Sequence, residues 1–146
     1  MPTAPPDDPH HLARFVHAQD RRDLHRSALA ELAAGQKTGH WMWFVFPQIA
    51  GLGTSENSQT YAIASLEEAQ AYIAHPVLGP RLLECTNALT GHHEAAASDV
   101  LGAVDAKKLR SSMTLFARAA PHEPVFVEVL DQWFEGRPDA ETERRI

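Results

Sequence analysis

Residues Trp41–Pro47, WMWFVFP, are the strongest uninterrupted apolar run in the chain. Wound as a helix, the run is apolar on every side. Drawn out as a strand, it is apolar on both faces. In either form it must be surrounded by protein. It is far too short to cross a bilayer. The remaining segments therefore have to enclose it, and their periodicity says with what.

The pattern outside the run is helical. Asp7 or Asp8 caps a first short helix with Pro9 at its start and Leu12, Phe15 and Val16 inward. Leu24, Ala28, Leu29 and Leu32 follow at helical spacing, with Asp23 as the cap and Gly35 as the stop. Residues 47–60, PQIAGLGTSENSQT, lack periodicity and read as a surface or pocket-rim loop. Ser65 and Glu68 have capping-box spacing before Leu66, Ala69, Tyr72 and Ile73. Pro76 ends that helix. The next carries Leu78, Leu82, Cys85 and Leu89 on one face, with Pro80 in its first turn and Gly91 as the stop.

A connection with one short turn from Ser98 leads to AKKLRSSMTLFARAA, capped by Asp105, with Leu109, Met113, Phe116 and Ala120 inward. Pro124 opens a helix with Phe126, Val129, Leu130, Trp133 and Phe134 inward and Gly136 as the stop. Pro138 and Asp139 begin a last short helix, where Arg144 and Arg145 suit the macrodipole. FVFPQI is the one rival strand, and Pro47 breaks it. The fold class predicted is all-α: a compact single-core bundle of six to eight helices, several short. It spans residues 9–146 behind a flexible Pro- and Asp-rich tail over 1–8.

Composition narrows the partners. A length of 146 residues suits one domain. With 13 Lys and Arg against 19 Asp and Glu, the formal charge of −6 argues against a dedicated nucleic-acid surface. Cys85 is the sole cysteine, so no intrachain disulfide forms and a reducing compartment is expected. The first residues, MPTAPPDDPH, have neither the basic nor the apolar part of a secretory signal. A cytoplasmic protein with no membrane partner is the expectation.

Three features carry chemistry. The nine histidines lack a zinc-protease spacing, there is no cysteine pair, and His92, His93 and Glu94 lie in a connection; no metal or cofactor is expected. His40 differs because its neighbours are bulky and apolar. It is either a core group bonded to a backbone carbonyl or a group facing a ligand. In DAKKLRSSM, Lys107 and Lys108 fall in the first helical turn with Arg110 just beyond. There they oppose the helix dipole unless an anion binds, and a plain solvated basic face is the competing reading. On a helical wheel Lys107, Arg110, Ser111 and Thr114 share a face, with Ser112 closer to the buried side. The stretch GLGTSENSQTYA has two glycines but no dinucleotide fingerprint and no P-loop, so a turn plus a helix cap is preferred over a phosphate cradle. Cys85, on an apolar face, reads as inert packing. Glu67, Glu68 and Glu84 are candidate acids that spacing cannot pair with a base.

The stretches HWMWFVFPQIAGLG, SQTYAIASLEEAQAYIAHPVLGPRL, KLRSSMTLFA and FEGRPDAET, in that order, resemble a bacterial family of domains of unknown function whose members are often labelled calpastatin-like. The resemblance covers roughly residues 12–143. It implies the all-helical fold known for a mycobacterial member, and it brings no settled activity. Calpastatin itself is long, repetitive and disordered, whereas this chain has the periodic faces of a packed domain. The matching polar positions are Lys37, His40, Gln48, Ser58, Gln59, Tyr61, His75, Lys108, Arg110, Ser111 and Ser112. Motifs of that mixed character favour a pocket.

The sequence thus points to a site for a small anionic ligand, such as a nucleotide or nucleotide-sugar. Trp41 or Trp43 stacks on it and His40 and Gln48 bond it, with Ser58 and Tyr61 nearby. Lys108, Arg110, Ser111 and Ser112 hold the anion. An enzyme on a nucleotide or ADP-ribose-type substrate with His40 as acid or base is one alternative. An interaction module with no ligand site is another. The single-site reading requires the segment 39–48 and the start of the helix after Asp105 to meet in space.

Overall fold

The computed structural model describes residues 7–92 and 95–146. Ten α-helical segments and one 3-10 turn account for the ordered secondary structure among them, so the all-α expectation holds. They are α1 (Ala13–Asp20), α2 (Leu24–Ala34), α3 (Met42–Val45), α4 (Glu56–Thr60), α5 (Leu66–Ala74), α6 (Leu78–Thr90), α7 (Ala97–Leu101), α8 (Ala103–Ala119), α9 (Val125–Phe134) and α10 (Ala140–Arg145). The excess over six to eight comes from one-turn pieces, of which α3 and α4 are two. The readings of residues 1–6 as tail and of His93 and Glu94 as connection lie outside the described residues.

The 17-residue α8 is the central element, packed by α5, α7, α9 and α10, while α6 lies against α2, α5 and α9. Its Leu109, Met113, Leu115 and Phe116 are fully buried. An aromatic chain runs through the core: Phe15 meets Tyr72 at 5.1 Å, Tyr72 meets Phe116 at 5.3 Å and Phe116 meets Phe126 at 5.8 Å between ring centroids. Tyr61 extends it outward, 5.9 Å from Phe15 and 5.4 Å from Phe44. Gln19 satisfies the polar groups beside this chain. Its buried amide donates to Phe44 O and Tyr72 Oη, and its oxygen accepts from Arg81.

Several start and stop signals act as read. Ser65 accepts from the Glu68 amide to cap α5, Asp139 accepts from the Thr142 amide to cap α10, and Gly35 ends α2 in the left-handed conformation. Pro80 sits in the first turn of α6. The α5–α6 corner also needs Gly79, because a Cβ there would lie 2.1 Å from the Ile73 carbonyl oxygen.

Other starts differ. Asp8 does act as a cap, accepting from Leu12 N and Ala13 N, but α1 begins at Ala13 and not at Pro9. Asp23 precedes α2 in a left-handed conformation with no side-chain cap bond. Helix α8 starts at Ala103 after Gly102, so Asp105 lies inside its first turn and Lys107 and Lys108 in its second. A local cap pattern cannot distinguish Asp105 as cap from Asp105 as ion-pair partner, and the structure uses it as the partner of Lys37 and Lys108.

The apolar run is enclosed as required. Trp41, Met42, Val45 and Phe46 are at most 3% exposed. Only one turn of helix forms there, and Phe46 leads into the loop that begins at Pro47.

Candidate functional site

A cavity of about 520 Å³ opens where α3, α4, the loop between them, the start of α8 and α10 converge. Trp43 of α3 lines one side. Gln48, Ile49, Leu52, Gly53, Thr54 and Ser55 come from the loop, and Ser58, Tyr61 and Ala62 from α4 and its exit. Val104, Lys107, Lys108 and Ser111 come from α8, and Asp139 and Glu141 from the α10 end.

The loop wall is held from behind. Ile49 and Ile63 form an isolated parallel bridge, with Ile63 N donating to Gln48 O and Ala50 N to Ile63 O, both at 2.8 Å. Arg14 clamps the same turn. Its guanidinium donates to Thr60 O at 2.9 Å and Ala62 O at 2.8 Å, on either side of Tyr61, and pairs with Glu68 at 2.8 Å. Ser55 caps α4 by accepting from Ser58 N. Gly51, at φ +95°, leaves room for the Arg145 guanidinium: a Cβ there would lie 2.5 Å from it. That contact brings the last turn of α10 onto the loop.

The opposite wall is a hydrogen-bonded joint between α8 and α10. Ser111 Oγ and Thr142 Oγ1 are 2.7 Å apart and buried. Thr142 Oγ1 donates to Asp139 Oδ2 at 2.6 Å, and Asp139 N donates to Thr114 Oγ1 at 2.8 Å. Arg110 adds bonds to Arg137 O at 2.8 Å and Pro138 O at 3.2 Å.

Charge enters from α8. Lys108 Nζ lies 4.2 Å over the Trp43 ring and 3.3 Å from Asp105 Oδ1. The other Asp105 oxygen is 2.8 Å from Lys37 Nζ, which itself stands 5.0 Å over the Trp41 ring. Lys107 is exposed and has no carboxylate within ion-pair distance among the described residues.

Residues 9–146 match the family described as protein of unknown function (DUF1810). The chain belongs to the DUF1810 family. It is also similar to the crystal structure of the conserved hypothetical protein Rv1873 from Mycobacterium tuberculosis, with 49% identity and a TM-score of 0.91. That similarity covers 94% of this chain and 96% of the mycobacterial one. No curated protein of assigned function matches. Neither the DUF1810 family nor the mycobacterial protein brings a described activity.

Of the ten residues singled out from the sequence, six line the cavity of this DUF1810 chain: Trp43, Gln48, Ser58, Tyr61, Lys108 and Ser111. Four do not. His40 is exposed and is not among the lining residues. Trp41 is fully buried, with its indole N–H donating to Glu31 at 3.0 Å, so no ring face is left to stack on a ligand. The Arg110 guanidinium is turned to the carbonyls of Arg137 and Pro138. Ser112 is fully buried with no hydrogen-bond partner among the described residues; one residue of helix turns it about 100° from Ser111.

Asp139 and Glu141 also line the cavity and carry no site signal in the sequence, and Thr54 and Ser55 belong to the stretch whose turn-and-cap reading is preferred over a phosphate cradle. Asp139 and Ser55 do perform cap roles while also facing the cavity.

Glu31 organises the approach to Trp41. Burial alone would raise its carboxyl, but the amides of Gly39 and Thr38 and the Trp41 indole outweigh that and hold it below the usual range. Elsewhere, Cys85 Sγ lies 3.9 Å from His25 Nδ1, whose Nε2 is 3.2 Å from Glu84. This resembles a nucleophile array only on paper. Burial pushes the Cys85 thiol up to about 12, so it stays protonated and inert. Among the described residues no group of three or more His, Cys, Asp or Glu is placed to hold a metal ion, and no helix is long and apolar enough to cross a membrane.

Proposed function

We propose that this DUF1810 protein binds a small anionic ligand of nucleotide or nucleotide-sugar type in the cavity between α3 and α8, and does so in the cytosol. The observation that carries the reading is the placement of Lys108 over Trp43 on one wall of a cavity that Lys107 also lines. An aromatic surface and two ammonium groups are thereby brought to a space within the 300–1,000 Å³ that ligand sites commonly occupy. Gln48, Thr54, Ser55 and Ser58 add hydrogen-bonding groups opposite α8. The overall charge of −6 does not oppose this, because anion binding depends on local cations.

The reading is one of binding. The enzymatic alternative rested on His40, which is exposed outside the cavity. The interaction-module alternative asked for an exposed apolar patch. The exposed large hydrophobic residues among those described are Val104 and Val127, on different helices, and Val104 is at the cavity itself.

A thermal-shift screen of nucleotides, ADP-ribose derivatives, sugar phosphates and dicarboxylates tests the proposal. A ligand at about 100 times its Kd adds about 2.7 kcal/mol of stability. The shift is expected to disappear in Lys108→Gln and Trp43→Ala while both variants remain folded. A shift that survives both substitutions removes this site from consideration.

A further inference from the structure

The hydroxyl of Ser111 has a single proton, and the α8–α10 joint decides where it goes. Asp139 Oδ2 accepts from both the amide and the hydroxyl of Thr142, at 2.9 and 2.6 Å. A carboxylate only accepts, so the Thr142 proton lies toward Asp139. Thr142 then has no proton for Ser111, and the 2.7 Å contact between the two hydroxyls requires Ser111 to donate. Proton direction therefore runs from Ser111 to Thr142 to Asp139.

What remains at this wall is acceptors. Ser111 is 3% exposed, lines the cavity, and keeps a free lone pair after spending its proton. Asp139 lines the cavity too, and its Oδ1 takes no hydrogen bond from the described residues. A phosphate placed there would meet like charge and lone pairs. The anion consequently belongs at Lys107 and Lys108. Those residues precede Ser111 by four and three positions on the same helix, which puts the cationic and the accepting parts of the wall about 5–6 Å apart between Cβ atoms.

Resting on the reading of the cavity as an anion site, we infer that its ligand is a phosphorylated sugar with a free vicinal diol, a ribonucleotide in preference to its deoxy forms. The phosphate sits at the lysines and the diol donates to Ser111 and Asp139. Both wall groups are fixed in place before any ligand arrives, because Asp139 caps α10 and Ser111 is tied to Thr142. Diol donors fit them without displacing a protein bond.

Calorimetric titration with ADP, 2′,3′-dideoxy-ADP and pyrophosphate reads this out. Wild type is expected to bind ADP at least about ten-fold more tightly than dideoxy-ADP, the scale of one hydrogen bond to a charged group. Asp139→Asn keeps the helix cap, since asparagine caps as well as aspartate, but it replaces the free carboxylate oxygen by an amide donor. In that variant the preference should fall to about two-fold or less while pyrophosphate affinity is retained. If circular dichroism shows Asp139→Asn unfolded, Ser111→Ala serves with the same readout. Equal affinity for ADP and dideoxy-ADP, or a preference that persists in the variant, overturns the inference. Pyrophosphate binding that is lost in Lys108→Gln would then leave the anion site standing. Absence of binding by all three compounds overturns both.

Discussion

Lys108 Nζ lies 4.2 Å above the ring of Trp43, so the aromatic segment and the basic helix meet. The same lysine is 3.3 Å from Asp105, and Asp105 holds Lys37 on its other oxygen. Trp43, Lys108, Asp105 and Lys37 thus connect the apolar run, the turn before it and α8. The contact supplies structure as well as charge to the cavity wall.

This contact should have a measurable coupling. In a double-mutant cycle of Trp43→Leu and Lys108→Met, followed by urea denaturation, the interaction energy is expected at about 0.5–1 kcal/mol, the range for a partly exposed cation–π pair. Strict additivity of the two substitutions would show that the lysine merely passes over the ring.

Glu31 supports the run from the other side. Its Oε1 accepts from Thr38 N, Gly39 N and the Trp41 indole at 2.7, 2.8 and 3.0 Å. Glu31→Ala leaves the indole N–H of a fully buried tryptophan unpaired, a loss expected at about 2–3 kcal/mol. Glu31→Gln keeps an acceptor and should lose less. The sign with pH follows from the lowered carboxyl. Its contribution is complete above the unfolded value near 4.5 and is lost as pH falls through the folded one. Acid denaturation of wild type and Glu31→Gln should therefore converge at low pH. Parallel curves would show that the charge contributes nothing.

Arg110 acts on the cavity at a distance. Arg110→Ala frees the carbonyls of Arg137 and Pro138, which precede the α10 cap, and should cost about 1–2 kcal/mol. Hydrogen exchange is expected to accelerate in α10 and leave α5 and α9 unchanged. Uniform acceleration across the molecule would mean that the joint is not a local one.

Cys85 and Tyr72 set the alkaline limit. Burial pushes the Cys85 thiol from its ordinary 9.0 up to about 12 and raises the fully buried Tyr72 phenol. Above about pH 9 the unfolded chain releases the thiol proton and the native chain keeps it, so stability falls with rising pH by about 1.4 kcal/mol per unit for that group. Cys85→Ala should flatten the curve between about pH 9 and 12. In native wild type at pH 8 a thiol reagent should label Cys85 only as fast as the protein opens. Immediate labelling would contradict the buried, protonated thiol.

The sequence by itself determined that the chain is helical, that Trp41–Phe46 is enclosed, and where several helices begin and end. Those properties are local: 3.6-residue periodicity, the Ser65 and Asp139 caps, Gly35 and Pro80 each act within one turn of chain. It also picked out Trp43, Gln48, Ser58, Tyr61, Lys108 and Ser111, which the fold gathers at one cavity. Only the tertiary structure decided which indole is accessible. Trp41 and Trp43 are two residues apart with identical side chains. Glu31, ten positions before Trp41, takes it into the core, and Lys108, far along the chain, covers Trp43. The same holds for Asp139, where a helix cap becomes a cavity wall because Ser111 and Thr142 join α8 to α10. Caps and periodicity are set by neighbours in sequence. Which polar end faces a cavity is set by packing between segments distant in the chain, and no local pattern encodes that distance.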